Sequence, residues 1–139
     1  MAPGPRRGDG GPTILLVEDD RLLRKAAESA LRLRGFRVVA VPNGDEALRA
    51  VAAEPPDLIL LDLVMPGLQG HQVLKVLKDD AATARIPVVI LTNLGQDSDV
   101  QQALNAGAAA YAIKTNLGLE DLVALVRRTL LMPESPRDT

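Results

Sequence analysis

The stretch "DLILLDLVMPG", residues 57–67, decides how the rest of the chain is read. Leu58, Ile59, Leu60 and Leu61 form a continuous apolar run, and Leu63, Val64 and Met65 follow it. Such a run reads as a strand covered on both faces, over residues 57–62. Asp62 stands in the middle of the grease. A carboxylate buried without a partner costs enough to be protonated or selected away, so Asp62 needs either a partner or a purpose.

Working outward, similar runs recur at regular intervals. "TILLV" (13–17), "FRVVAV" (36–41), "PVVIL" (87–91) and "AAYAIK" (109–114) read as four more strands. Between them lie helical segments. Residues 20–34 carry Leu22, Leu23, Ala26, Ala27, Ala30, Leu31 and Leu33 at helical spacing, and Gly35 sits at the C-cap position. Asn43 caps a second helix ending at Pro55-Pro56, with Glu46 placed as in a capping box. A third helix runs from about Gln69 to Asp79. A fourth opens at Asp97-Ser98-Asp99 and ends at Gly107, and a fifth covers about 118–131, with Leu119, Leu122, Val123, Val126 and Leu130 on one face. Five strands alternating with five helices predict an α/β domain with a parallel, doubly wound sheet.

Composition narrows the function. Lys and Arg number 16 against 18 acidic residues, for a net charge of −2, which lacks the basic excess of a nucleic-acid surface. Phe36 and Tyr111 are the whole aromatic content, so base stacking is excluded too. Without Cys there is no disulfide framework or thiolate chemistry. No apolar run approaches the length of a membrane span, and "MAPGPRRGDGGP" lacks the apolar stretch of a signal peptide. The expectation is a cytoplasmic protein with no membrane contact. Residues 1–12, rich in Pro and Gly, read as a disordered tail, 13–131 as the domain, and 132–139 as a second tail. Arg7-Gly8-Asp9 in the first tail reads as a chance tripeptide.

In doubly wound sheets, ligands bind beyond the carboxyl ends of the strands. The first strand ends in Glu18-Asp19, the third in Asp62, the fourth in Thr92 and the fifth in Lys114, whereas Val41-Pro42 ends the second with nothing reactive. Three carboxylates against one ammonium leave an excess of about −2, which a hard divalent cation such as Mg²⁺ would cancel. Asp62 could then stay ionised and attack a phosphoryl donor. Thr92 and Lys114 would contact the transferred group.

"ILLVEDD", "PDLILLDLVMPGLQG", "PVVILT" and "GAAAYAIK" resemble the receiver domains of two-component response regulators, over about residues 13–131. The resemblance implies a flavodoxin-like sheet of order 2-1-3-4-5. It implies that Asp62 accepts a phosphoryl group from a histidine kinase or phosphotransfer protein. Glu18, Asp19, Asp62 and the main-chain carbonyl of Val64 would hold Mg²⁺, with Lys114 on the phosphoryl group. Thr92 and Tyr111 would form a switch that alters the surface of the fourth helix, fifth strand and fifth helix, where a homodimer could form. Pro66 and Gly70 match the loop after the third strand. The domain would be no enzyme beyond its own phosphorylation and dephosphorylation. It would act on a downstream protein partner or through an output domain missing from this chain, with no direct nucleic acid binding.

Some positions depart from the family pattern. Thr115 follows Lys114 where the family usually has a cis Pro, and Asn93 follows Thr92 where a small residue is usual. Val64 and Leu94 are apolar at positions that tune dephosphorylation, which predicts a long-lived phosphoryl group. Glu18 stands where many members carry Asp. Among other residues, Asp20 reads as a helix N-cap, Asp57 as the far end of its strand, and His71 as a surface histidine rather than a relay or metal ligand. Arg21, Arg24, Lys25, Arg32 and Arg34 read as a solvated helix face, with a kinase-contact role left open. The competing reading is a phosphorylation-independent pseudo-receiver that only binds protein. A Mg²⁺ phosphatase would need a second carboxylate at position 64, and an FMN protein a phosphate loop where this chain has "EDDR".

Overall fold

The computed structural model describes residues 11–63, 69–92 and 97–132. Five strands form one parallel sheet: β1 Thr13–Val17, β2 Arg37–Val41, β3 Leu58–Asp62, β4 Val88–Thr92 and β5 Ala110–Ile113, in the order β2-β1-β3-β4-β5. The helices are α1 Arg21–Leu33, α2 Gly44–Ala53, α3 Gly70–Asp79, α4 Asp97–Asn105 and α5 Leu119–Leu131. This is the doubly wound architecture expected from the sequence.

The continuous apolar runs are explained by two cores. Alternate residues of one strand point to opposite faces, so Ile14, Leu16, Leu58, Leu60, Val89 and Leu91 pack with Ala27 and Leu31 of α1 and with Leu122 and Val126 of α5. Their neighbours Leu15, Val17, Ile59, Leu61, Val88 and Ile90 pack with Val51 of α2, Leu74 of α3 and Ala103 of α4. The three inner strands are buried throughout, whereas the edge strands β2 and β5 are only partly so.

Caps set the element ends. Asp20 accepts from Leu23 N–H, as expected of an N-cap. Gly35, at φ +96°, closes α1: its N–H reaches Arg32 O, and Phe36 N–H reaches Leu31 O across a left-handed turn that suits glycine. Phe36 is therefore the closing residue of a helix cap rather than the start of β2. Pro87 likewise precedes β4, which extends instead to Thr92, and β5 ends at Ile113 because Lys114 opens a 3₁₀ turn through Asn116. Asn43 caps α2 by accepting from Glu46 N–H, but Glu46 returns to the Asn43 side chain rather than to its backbone. Asp57 accepts from Thr13 N–H and ties β1 to β3 at the end of the sheet away from the reactive residues.

The apolar face read on α1 was too wide. Leu22 and Leu33 are 81% and 83% exposed, and Ala26 is exposed as well, while Ala27 and Leu31 carry the packing. Leu119 of α5 is also largely outside the core.

Gly70 begins α3 against the end of β3. A Cβ there would lie 2.4 Å from Asp62 O and 2.6 Å from Leu63 Cα, both backbone atoms that cannot swing aside. We expect Gly70→Ala to lower stability by about 1–3 kcal/mol, the usual cost of overpacking. Urea unfolding measures it, and an unchanged midpoint would show that α3 docks with room to spare.

Candidate functional site

Register brings the reactive residues together. Val17 pairs with Leu61, so the next residues on β1 and β3, Glu18 and Asp62, leave the sheet side by side. Thr92 pairs with Ile113, so Lys114 leaves β5 one residue beyond. The site lies at the carboxyl end, where strand order reverses between β1 and β3.

Lys114 starts two strands away from Asp62. Strands spaced about 4.8 Å apart put some 10 Å between β5 and β3, a gap that only a long side chain meeting a second one can close. Its Nζ lies 2.7 Å from Glu18 Oε1 and 3.1 Å from Asp62 Oδ2, and the side chain is only 11% exposed. Asp62 and Glu18 are themselves buried. The opening puzzle of Asp62 is thereby half resolved, because the carboxylate in the apolar run has an ammonium partner. The Lys114–Thr115 peptide is trans, and Lys114 reaches the site all the same.

Glu18 is committed on both oxygens. Oε1 faces Lys114, and Oε2 accepts from Asp20 N–H at 3.0 Å. Burial, the largest influence, pushes its pKa up, Lys114 and the Asp20 N–H pull it back, and nearby Asp62 pushes it up again, leaving it above 4.5. Lys114 loses some basicity to burial, yet Glu18 and Asp62 together outweigh that and hold its pKa above the ordinary value.

Asp19 completes the cluster from the exposed side. One carboxylate oxygen from each of Glu18, Asp19 and Asp62 lies within 4.8 Å of the others. This all-oxygen donor set, with more negative charge than one ammonium offsets, suits a hard divalent cation. The structure therefore brings together Glu18, Asp19, Asp62 and Lys114. Thr92 ends β4 buried, and Tyr111 on β5 is 45% exposed. Val64, Pro66, Asn93 and Leu94 lie outside the described residues.

Arg24 was missed. Read as part of a solvated face, it instead donates from Nη1 to Glu18 O at 2.8 Å and to Asp19 O at 3.4 Å. The only signal in the sequence was its place in the first turn of the helix after the acidic pair. Arg32 and Arg34 also have partners: Arg32 donates to Val38 O and pairs with Glu28, and Arg34 pairs with Glu120 of α5. His71 is half-buried at the start of α3.

Since the folded pKa of Glu18 lies above the unfolded one, its contribution to stability is complete below about pH 4.5 and is lost as pH rises through the raised value. Above that raised value the fold bears the burial cost of the ionised form. Glu18→Gln should thus raise the melting temperature in divalent-free buffer by about 2–5 °C. A lower melting temperature would mean that the Lys114 pair outweighs the burial cost.

A sequence profile described as "Response regulator receiver domain" matches residues 14–127. The chain is 38% identical over 117 residues to the transcriptional regulatory protein CseB of Streptomyces coelicolor, covering 84% of this chain and 48% of that one. It spans about half the length of several such transcriptional regulatory proteins. Among solved structures, the BeF3-activated N-terminal receiver domain of RstA from Klebsiella pneumoniae superposes with a TM-score of 0.79 at 33% identity, covering 86% of this chain and 99% of that one. The receiver domain of sensor histidine kinase PA1611 from Pseudomonas aeruginosa, with a magnesium ion coordinated in its active site cleft, gives 0.78 at 29% identity, covering 86% and 97%. Among the described residues, no helix is long and apolar enough to cross a membrane.

Proposed function

The chain belongs to the response regulator receiver domains of two-component systems, and from that premise we propose that it is a phosphoryl-accepting switch in which Asp62 is the acceptor. The observation that carries this reading is the buried Asp62 carboxylate held 3.1 Å from Lys114, inside a cluster of three carboxylates. A structural ion pair would need one carboxylate, and this cluster gathers three.

The donor is a phosphohistidine on a histidine kinase or phosphotransfer protein. An Asp62 oxygen attacks phosphorus, forming an O–P bond as the P–N bond breaks, and the imidazole leaves with the electron pair. Asp19 and Asp62 would hold Mg²⁺, together with Glu18 and the Val64 carbonyl. When bound, Mg²⁺ neutralises charge on the transferred oxygens. Lys114, already at Asp62, keeps its ammonium on the phosphoryl group, and Thr92 donates its hydroxyl there.

Phosphorylation acts through the difference it makes between two states. Thr92 moving toward the phosphoryl group leaves space that Tyr111, half out in solvent here, turns to fill. The surface of α4, β5 and α5 changes with it and meets a downstream partner, an output domain or a second copy. The domain works in the cytoplasm and contacts nucleic acid only through such partners.

Incubation with acetyl phosphate should add a single phosphoryl group by intact mass, requiring Mg²⁺ and lost in Asp62→Asn. No adduct in the folded protein would instead favour a receiver that binds partners without phosphorylation. Tyr111 is the only tyrosine and there is no tryptophan, so intrinsic fluorescence reports the switch directly. Its accessibility to iodide should fall on phosphorylation, and unchanged quenching would remove Tyr111 from the switch.

A further inference from the structure

The turn between β1 and α1 is tied at several main-chain groups. Glu18 N–H donates to Val41 O at 3.0 Å, Asp20 N–H to Glu18 Oε2 at 3.0 Å, and Leu23 N–H to Asp20 Oδ1 at 3.1 Å. Arg24 N–H donates to Asp20 O at 2.8 Å. The carbonyls of Glu18 and Asp19 both accept from the half-buried Arg24 guanidinium, at 2.8 and 3.4 Å. Two successive carbonyls turned toward one donor fix the peptide planes from which the Glu18 and Asp19 side chains spring.

We propose that Arg24 is a positioning residue for the divalent cation, holding the Glu18–Asp19 backbone so that the carboxylates converge before a cation arrives. This rests on the cation-dependent reading of the site given above. Arg24 touches neither the cation nor the phosphoryl group; it acts through the two acidic residues. Bonds to groups that orient metal ligands commonly influence affinity by 10- to 100-fold.

Charge and geometry here predict opposite signs. A guanidinium beside an acidic cluster repels an incoming cation, so by charge alone its removal would tighten binding. Held geometry predicts that removal loosens it. The sign of one measurement therefore separates the two effects.

The test is titration with MgCl₂, followed by amide NMR shifts of residues 18–24 at physiological ionic strength, on wild type, Arg24→Ala, Arg24→Lys and Arg32→Ala. Arg32 provides the control, since it makes the same kind of bond, to Val38 O at 3.0 Å, at the opposite end of α1. Arg24→Ala should bind Mg²⁺ about tenfold more weakly. Arg24→Lys, which keeps the charge but offers a compact ammonium in place of the fork, should fall between it and wild type. Arg32→Ala should bind as wild type does. Binding by Arg24→Ala that is as tight as wild type, or tighter, overturns the proposal, as does equal weakening in Arg32→Ala. If Arg24→Ala does not fold, Arg24→Lys decides alone: severalfold weaker binding upholds the assignment, and wild-type affinity overturns it. Wild-type protein that binds no Mg²⁺ removes the cation-dependent reading itself, which is a different failure.

Discussion

Two buried carboxylates share one ammonium, and much of the molecule is arranged so that they can. Lys114 closes the gap from β5 to Glu18 on β1 and Asp62 on β3, crossing the end of β4. Without that contact, ionised groups at the end of an apolar sheet would face their full desolvation cost. With it, the charge is still not balanced, since Asp19 adds a third carboxylate at the rim. The pKa of Glu18 is raised chiefly by its burial, and nearby Asp62 pushes it the same way. The divalent cation proposed for this site would supply the charge that the cluster lacks.

The fold supplies the positions at which this happens. A parallel sheet with helices on both faces sends all its carboxyl ends to one edge, so residues 18, 62 and 114 meet although they are far apart in the chain. The two cores make that edge rigid, because each inner strand is held from above and below. Gly70 lets α3 begin directly against the Asp62 backbone, which fixes the end of β3 from the other side. The acidic turn is held by Asp20, by Arg24 and by Glu18 itself. Geometry at the site is therefore over-determined in the main chain, while the side-chain charge remains unsatisfied.

Reading the sequence succeeded where periodicity was strong and failed where a side chain could go either way. The run 58–61 could only be a strand buried on both faces, and it is. Leu22 and Leu33 fitted a helical stripe, but α1 meets the sheet through a narrower face than the pattern suggested, and both stand in solvent. Phe36 looked like strand yet closes a helix, because the Gly35 turn carries its N–H back to Leu31. Arg24 looked like one of five solvated cations, and only its reach back to the acidic turn distinguishes it.

Sequence by itself determined the order and kind of the elements, because apolar spacing and caps are local properties of the chain. It also determined which residues end the strands, and hence Glu18, Asp19, Asp62, Thr92 and Lys114 as the candidate set. Tertiary structure alone decided the connections among them: that Lys114 lies nearer Glu18 than Asp62, that Asp20 N–H occupies the second Glu18 oxygen, and that Arg24 braces the backbone beneath. Those contacts depend on strand register and on the angle at which α1 leaves the sheet. Both are set by packing across the whole domain, which no local stretch of sequence encodes.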